Sequence, residues 1–235
     1  MEESAKLYPH VIAYDFMGSS TTYKKAVEEI HRCAKGLKAL GIKAGDRVTI
    51  CMPNAPQTLT MFYAVNLIGA VANMVHPLSA VNEIAFCIRD SGSVAAITLD
   101  QFYGKFCEVR RQCDLPHLII TSIKDALSPV MKLGYQLTEG KKIAKPEGAD
   151  FIWWKDMLKA GESVTDYRHD MDANDPAAIL YSGGTTGVMK GIYLSNMNFN
   201  ALAKQVIATN TFFRPGDKML AIMPMFHGFG LGVSI

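Results

Sequence analysis

The sequence predicts an α/β fold: layered, largely parallel sheets with helices on both faces. Continuous apolar runs of strand length recur along the chain, and segments of helical period separate them. The chain of 235 residues is also rich enough in apolar residues, 49% against 20% charged, to build a substantial core.

The first helix follows from Ala26, Val27, Ile30, Ala34, Leu37 and Leu40, which recur at helical spacing, with Gly41 as its stop. Residues 47–52 read as a buried strand ending at Pro53. A helix over about 57–68 leads to a strand over 71–75, and a helix over about 81–90 to a strand over 94–99. A helix near 103–112 then precedes a strand over 117–121. Residues 124–175 differ: they carry Lys132, Lys141, Lys142 and Lys145, two prolines and the pair Trp153-Trp154, and read as surface helices and a connecting loop. The polar cluster over 170–176 reads as a turn and a subdomain seam.

Composition narrows the function classes. A formal charge of +2, with no compact Lys/Arg run, argues against a nucleic-acid partner and for a protein that handles small molecules. Cys33, Cys51, Cys87, Cys107 and Cys113 are odd in number, irregular in spacing and free of any Cys-x-x-Cys unit. They read as reduced thiols of a cytoplasmic protein, not as a disulfide framework or a zinc site. Met1-Glu2-Glu3-Ser4 lacks the basic and apolar pattern of a secretory signal. Residues 49–82 hold no Asp, Glu, Lys or Arg, yet Pro53, Pro56, Asn66, Gly69, Asn73 and Pro77 break them into strand, helix and strand instead of a membrane span. Residues 219–235 are apolar apart from His227 and Ser234, which reads as a chain cut inside its core fold.

The strongest signal is Tyr181-Ser182-Gly183-Gly184-Thr185-Thr186-Gly187-Val188-Met189-Lys190-Gly191, set between strand-like runs over 177–180 and 192–194. Consecutive small residues let backbone N–H groups converge on one point and cradle an anion. Hydroxyls at Ser182, Thr185 and Thr186 add donors, and Lys190 adds a movable positive charge, a set suited to a polyphosphate. A Walker loop is excluded, because Met189 stands before the lysine and Gly191 after it. The competing reading is a plain Gly/Thr hairpin with an exposed lysine.

This segment resembles the signature of the adenylate-forming (AMP-binding) superfamily, in which Tyr/Phe-Thr/Ser-Ser-Gly-Thr-Thr-Gly-x-Pro-Lys-Gly is usual. Gly183 replaces the usual serine and Met189 the usual proline. Thr22-Tyr23 opening a helix, Gly45-Asp46-Arg47-Val48, Asn54-Ala55-Pro56-Gln57 and Gly69-Ala70-Val71 leading to His76-Pro77 are similar to the family's opening. Pro224-Met225-Phe226-His227-Gly228-Phe229-Gly230 resembles the family segment beside the acyl pocket.

The resemblance implies that residues 1–235 are the front part of an N-terminal AMP-binding domain of the acyl-CoA synthetase branch. It implies ATP-dependent activation of a carboxylic acid to an acyl-adenylate with loss of pyrophosphate, then transfer to coenzyme A. ATP, Mg2+ and CoA are the implied cofactor and co-substrates. Ser182, Gly183, Gly184, Thr185, Thr186, Gly187 and Lys190 would hold the ATP phosphates, and Phe226, His227, Gly228 and Phe229 would line the acyl pocket. His227 stands where amino-acid-activating relatives usually carry an aspartate, which favours a fatty or aromatic acid. The family's adenine-contacting segment, magnesium-binding glutamate, ribose-binding aspartate, hinge and catalytic lysine have no counterpart in these residues, so the chain alone is expected not to turn over. Loading of a carrier protein, or a nucleotide-binding module without chemistry, are the alternatives. Peripheral membrane contact and self-association stay open. His10, His31, His76, His117 and His169 receive no partner from the sequence.

Overall fold

The computed structural model describes every residue except 142, 145, 149, 183–188, 211 and 235, together with the side chain of Glu139. The chain opens with α1 (Glu2–Leu7) and an antiparallel hairpin, β1 (Ile12–Phe16) and β2 (Ser19–Thr22). Then come α2 (Tyr23–Ala39), β3 (Arg47–Ile50), α3 (Pro56–Leu67), β4 (Val71–Met74), α4 (Val81–Ser91), β5 (Ser93–Leu99), α5 (Tyr103–Val109) and β6 (His117–Thr121). The remainder is α6 (Pro129–Leu137), β7 (Ile152–Trp153), α7 (Trp154–Ala160), β8 (Pro176–Ser182), β9 (Lys190–Ser195), α8 (Asn196–Thr209) and α9 (Gly228–Ser234).

Seven strands form one sheet in the order β7-β6-β5-β3-β4-β8-β9. Every pair is parallel except β8–β9. The charge-free stretch over 49–82 contains β3, α3 and β4, as its prolines and asparagines imply. Among the described residues no helix is long and apolar enough to cross a membrane.

Local chemistry explains the boundaries. Thr22 caps α2 by accepting from the Lys25 N–H at 3.4 Å, and Ala26, Ile30, Cys33, Ala34 and Leu37 form its buried stripe. The Glu83 carboxylate accepts from the Ala80 N–H at 3.1 Å and so caps the start of α4; Ala80 has no side-chain acceptor to complete a capping box. Gly92 ends α4 in the left-handed conformation at φ +63°, where a Cβ would also meet the Arg47 guanidinium at 2.5 Å.

The sheet is apolar on both faces. Along β5, Ala95, Ile97 and Leu99 join the cluster under α2 and α3, while Ala96 faces the cluster under α4 and α5. In β6, Ile119 takes the first face, and Leu118 and Ile120 the second. Buried polar groups interrupt this pattern at Thr49, Asn73, Ser93, Thr98 and Thr121. Asn73, fully buried in β4, donates to Thr49 Oγ1 at 2.9 Å and to Ser91 Oγ at 3.0 Å, so it ties β4 to β3 and α4.

The stretch over 124–175 is only partly the surface segment its lysines suggest. No residue of α6 is buried, as expected. Ile152 and Trp153, however, pair with Ile119 and Ile120 to make the sheet's edge strand, and α7 buries Trp154 and Met157 against the α2 face. A strand of two residues is too short for periodicity to reveal.

Candidate nucleotide and acyl site

Strands β3, β4 and β8 are parallel neighbours, so their carboxyl ends open at one edge of the sheet. Ligands of open α/β sheets bind at such edges. In register Ile50 faces Met74 and Met74 faces Leu180; two residues further on, His76 and Ser182 leave adjacent strands together. Asn54 leaves β3 at the same edge.

Ser182 is the last residue of β8 and pairs with Lys190, the first of β9. The glycine–threonine segment therefore joins two antiparallel strands and opens no helix, as the flanking apolar runs imply. Ser182 and Lys190 are both exposed, and Lys190 makes no ion pair among the described residues. The other expected phosphate contacts, Gly183, Gly184, Thr185, Thr186 and Gly187, lie outside the described residues.

Tyr181 anchors the end of β8. Its hydroxyl, 3.0 Å from the Cys87 carbonyl and 3.1 Å from Asp90 Oδ2, shares its one hydrogen between these two acceptors, and its ring meets Phe86 edge-on. Burial first, then Cys87 and the Asp90 carboxylate, push its pKa far above the ordinary phenol value, so it stays a neutral donor. The thiol of Cys51, at the same sheet edge, is held protonated by burial and hydrogen-bonds the His76 carbonyl at 3.8 Å, which makes it a structural group and not a nucleophile.

The expected acyl-pocket residues form a compact turn. The His227 N–H donates to the Pro224 carbonyl at 3.0 Å, and its Nδ1 accepts from the Phe229 N–H at 3.4 Å at the start of α9. Gly230 approaches Pro224 so closely that a Cβ would sit 2.0 Å from the Pro224 oxygen. A Cβ on Gly228 would lie 3.5 Å from Leu180, two residues before Ser182, so the turn rests against β8. Phe226 is half-buried, whereas His227 and Phe229 are exposed.

Two residues with no role assigned from sequence hold this turn. The Asn54 amide donates to the carbonyls of Ala221 at 3.0 Å and Met223 at 2.8 Å, and its Oδ1 accepts from the Met225 N–H at 2.8 Å. His76 lies over Phe226 with ring centroids 4.1 Å apart. The expectation that His31, His76 and His169 lack partners is corrected here. His31 hydrogen-bonds Tyr167 at 3.0 Å and pairs with Glu2, and the His169 ring packs on Gly69. These contacts join residues far apart in sequence, which local pattern does not register.

A family model described as AMP-binding enzyme matches residues 1–235. The chain belongs to the AMP-binding enzyme family. It is 30% identical over 236 residues to a long-chain-fatty-acid–CoA ligase of Bacillus subtilis (strain 168), covering 98% of this chain and 42% of the relative. The ligase of the same name from Salmonella typhimurium is 30% identical over 239 residues, with 99% and 43% covered. The chain thus spans less than half the length of these relatives. Among solved structures, the inhibitor-bound N-terminal domain of FACL13 from Mycobacterium tuberculosis superposes with a TM-score of 0.74 at 26% identity, covering 99% of this chain and 52% of that one. An anthranilate CoA ligase in complex with anthranoyl-AMP gives a TM-score of 0.82 at 19% identity, over 98% of this chain and 40% of that one, and shows the shared fold.

Proposed function

We propose that the chain supplies the phosphate-binding hairpin and part of the acid pocket of an ATP-dependent fatty acid–CoA ligase. The observation that carries this reading is the pairing of Ser182 with Lys190 on either side of the Gly/Thr-rich segment, at the sheet edge where the Phe226–His227 turn also rests. The carboxylate of a fatty acid attacks the α-phosphorus of ATP, pyrophosphate departs, and the acyl-adenylate passes its acyl group to the thiol of coenzyme A. Charge accumulates on the leaving β- and γ-phosphates. The Ser182 hydroxyl and the Lys190 ammonium, with the N–H groups and hydroxyls of Gly183, Gly184, Thr185, Thr186 and Gly187, stabilise it there. Phe226, His227, Gly228 and Phe229 wall the acid, and an acid without an α-amine suits a site with His227 at that position.

Mg2+ belongs to the family reaction, but among the described residues no group of three or more His, Cys, Asp or Glu side chains is placed to hold a metal. We read residues 1–235 as the front part of the N-terminal domain, with its seam over 170–176, working in the cytoplasm. Alone, this stretch binds nucleotide weakly and does not turn over.

The test is to incubate the full-length gene product with ATP, CoA and a panel of fatty and aromatic acids, and to measure pyrophosphate, AMP and acyl-CoA together. Stoichiometric pyrophosphate, AMP and acyl-CoA with fatty acids supports the reading. Acid-dependent pyrophosphate release that stalls before AMP and acyl-CoA appear points to an acceptor other than CoA, such as a carrier protein. No pyrophosphate with any acid, from a protein that binds ATP, contradicts it.

A further inference from the structure

We propose that Asn54 and His76 are positioning residues for the acid half of this site: a latch built on β3 and β4 that sets the Phe226–His227 turn relative to the phosphate strand β8. The inference rests on the ligase reading for its catalytic readout only. Residues 219–226 form neither helix nor strand. Within them the described backbone bonds are the turn from the Ile222 N–H to the Leu220 carbonyl at 3.1 Å and the one from His227 to Pro224. Asn54 adds three bonds to this stretch across 167 to 171 residues of sequence, using both amide hydrogens and the amide oxygen. A side chain that donates twice and accepts once at that reach is an asparagine. Aspartate would accept from Met225 but repel the carbonyls of Ala221 and Met223.

The base of the latch is stiff. Asn54 sits between Pro53 and Ala55-Pro56, with Ala55 held extended at φ −151° before its proline. The Thr58 hydroxyl, one turn into α3, donates to the Pro53 carbonyl at 2.6 Å. His76 is fixed as well: its Nδ1 accepts from the Leu78 N–H at 2.9 Å, which orients the ring against Phe226. Both residues follow strands in the same sheet as β8, so the distance between acid turn and phosphate strand is set by strand pairing. Loosening the latch displaces the acid turn and leaves the β8–β9 hairpin in place.

The experiment uses the full-length gene product with Asn54→Ala, His76→Ala and His76→Phe, read in two ways. In acid-dependent ATP–pyrophosphate exchange, Asn54→Ala and His76→Ala raise KM for the acid about tenfold while KM for ATP stays within about twofold; His76→Phe, which keeps a ring under Phe226, recovers most of the loss. In hydrogen exchange, Asn54→Ala speeds the Met225 amide, which loses its acceptor, and leaves α3 amides unchanged. Equal rises in both KM values, or none, with a wild type that exchanges normally, overturn the latch. If the wild type exchanges with no acid, the ligase reading falls; the latch still stands or falls on whether the Met225 amide accelerates. If Asn54→Ala fails to fold, His76→Ala decides by the same KM split.

Discussion

The segment over 47–121 and the segment over 190–223 are both apolar in sequence, and they fold to opposite ends of the burial scale. In the first, Ile50, Met61, Ile97, Phe106 and Ile120 are all fully buried, because each helix covers a strand that is apolar on both faces. In the second, Ile207 is 66%, Phe212 80% and Leu220 81% exposed, and β9 is an edge strand whose Ile192 and Tyr193 face outward. Hydrophobicity becomes stability only where a complementary surface exists; without one it leaves an adhesive face. Within the second segment β9 is held by its ladder with β8, and beyond β9 single contacts do the anchoring, such as Phe199 against Phe62 and the Asn54 amide on the carbonyls of Ala221 and Met223.

Substitutions should separate the two regions by magnitude. Phe106→Ala, which empties a fully buried ring site, is expected to cost about 3–5 kcal/mol in urea unfolding. Asn73→Ala comes next at about 1–3 kcal/mol, by the same measurement, since it unties β4 from Thr49 and Ser91. Its cost falls toward the low end because Asn73 Oδ1 already lacks a donor among the described residues. Thr22→Ala removes the cap of α2 and should cost about 1 kcal/mol, seen as a lower thermal midpoint. Ile207→Ser should change stability by no more than about 0.5 kcal/mol. A loss of several kcal/mol at Ile207 would break the contrast.

The sheet was legible because β3, β4, β5, β6 and β8 are runs of apolar residues bounded by turn formers, and α2 to α5 carry clear stripes or stops. Other elements lacked such a signal. The helix α1 and the hairpin β1–β2 are short and mostly polar or exposed, β7 has two residues, and α8 buries none of its residues. Within the site, the Ser182–Lys190 hairpin followed from glycines flanked by apolar runs, which is local information. Asn54, His76 and Tyr181 gain their roles from partners 91 to 171 residues away or from a ring stacked across the sheet edge. No spacing rule encodes such contacts. Asn73 was equally opaque: an asparagine inside an apolar strand acquires meaning only once Thr49 and Ser91 are placed around it.

If the segment joining β8 to β9 is the phosphate end of an adenylating site, acid-dependent ATP–pyrophosphate exchange by the full-length gene product depends on Lys190, and wild type against Lys190→Ala measures that dependence. Fatty acids are expected to drive exchange in the wild type, and the variant to fall roughly a hundredfold with its thermal midpoint unchanged. Equal exchange by the two proteins would contradict that assignment.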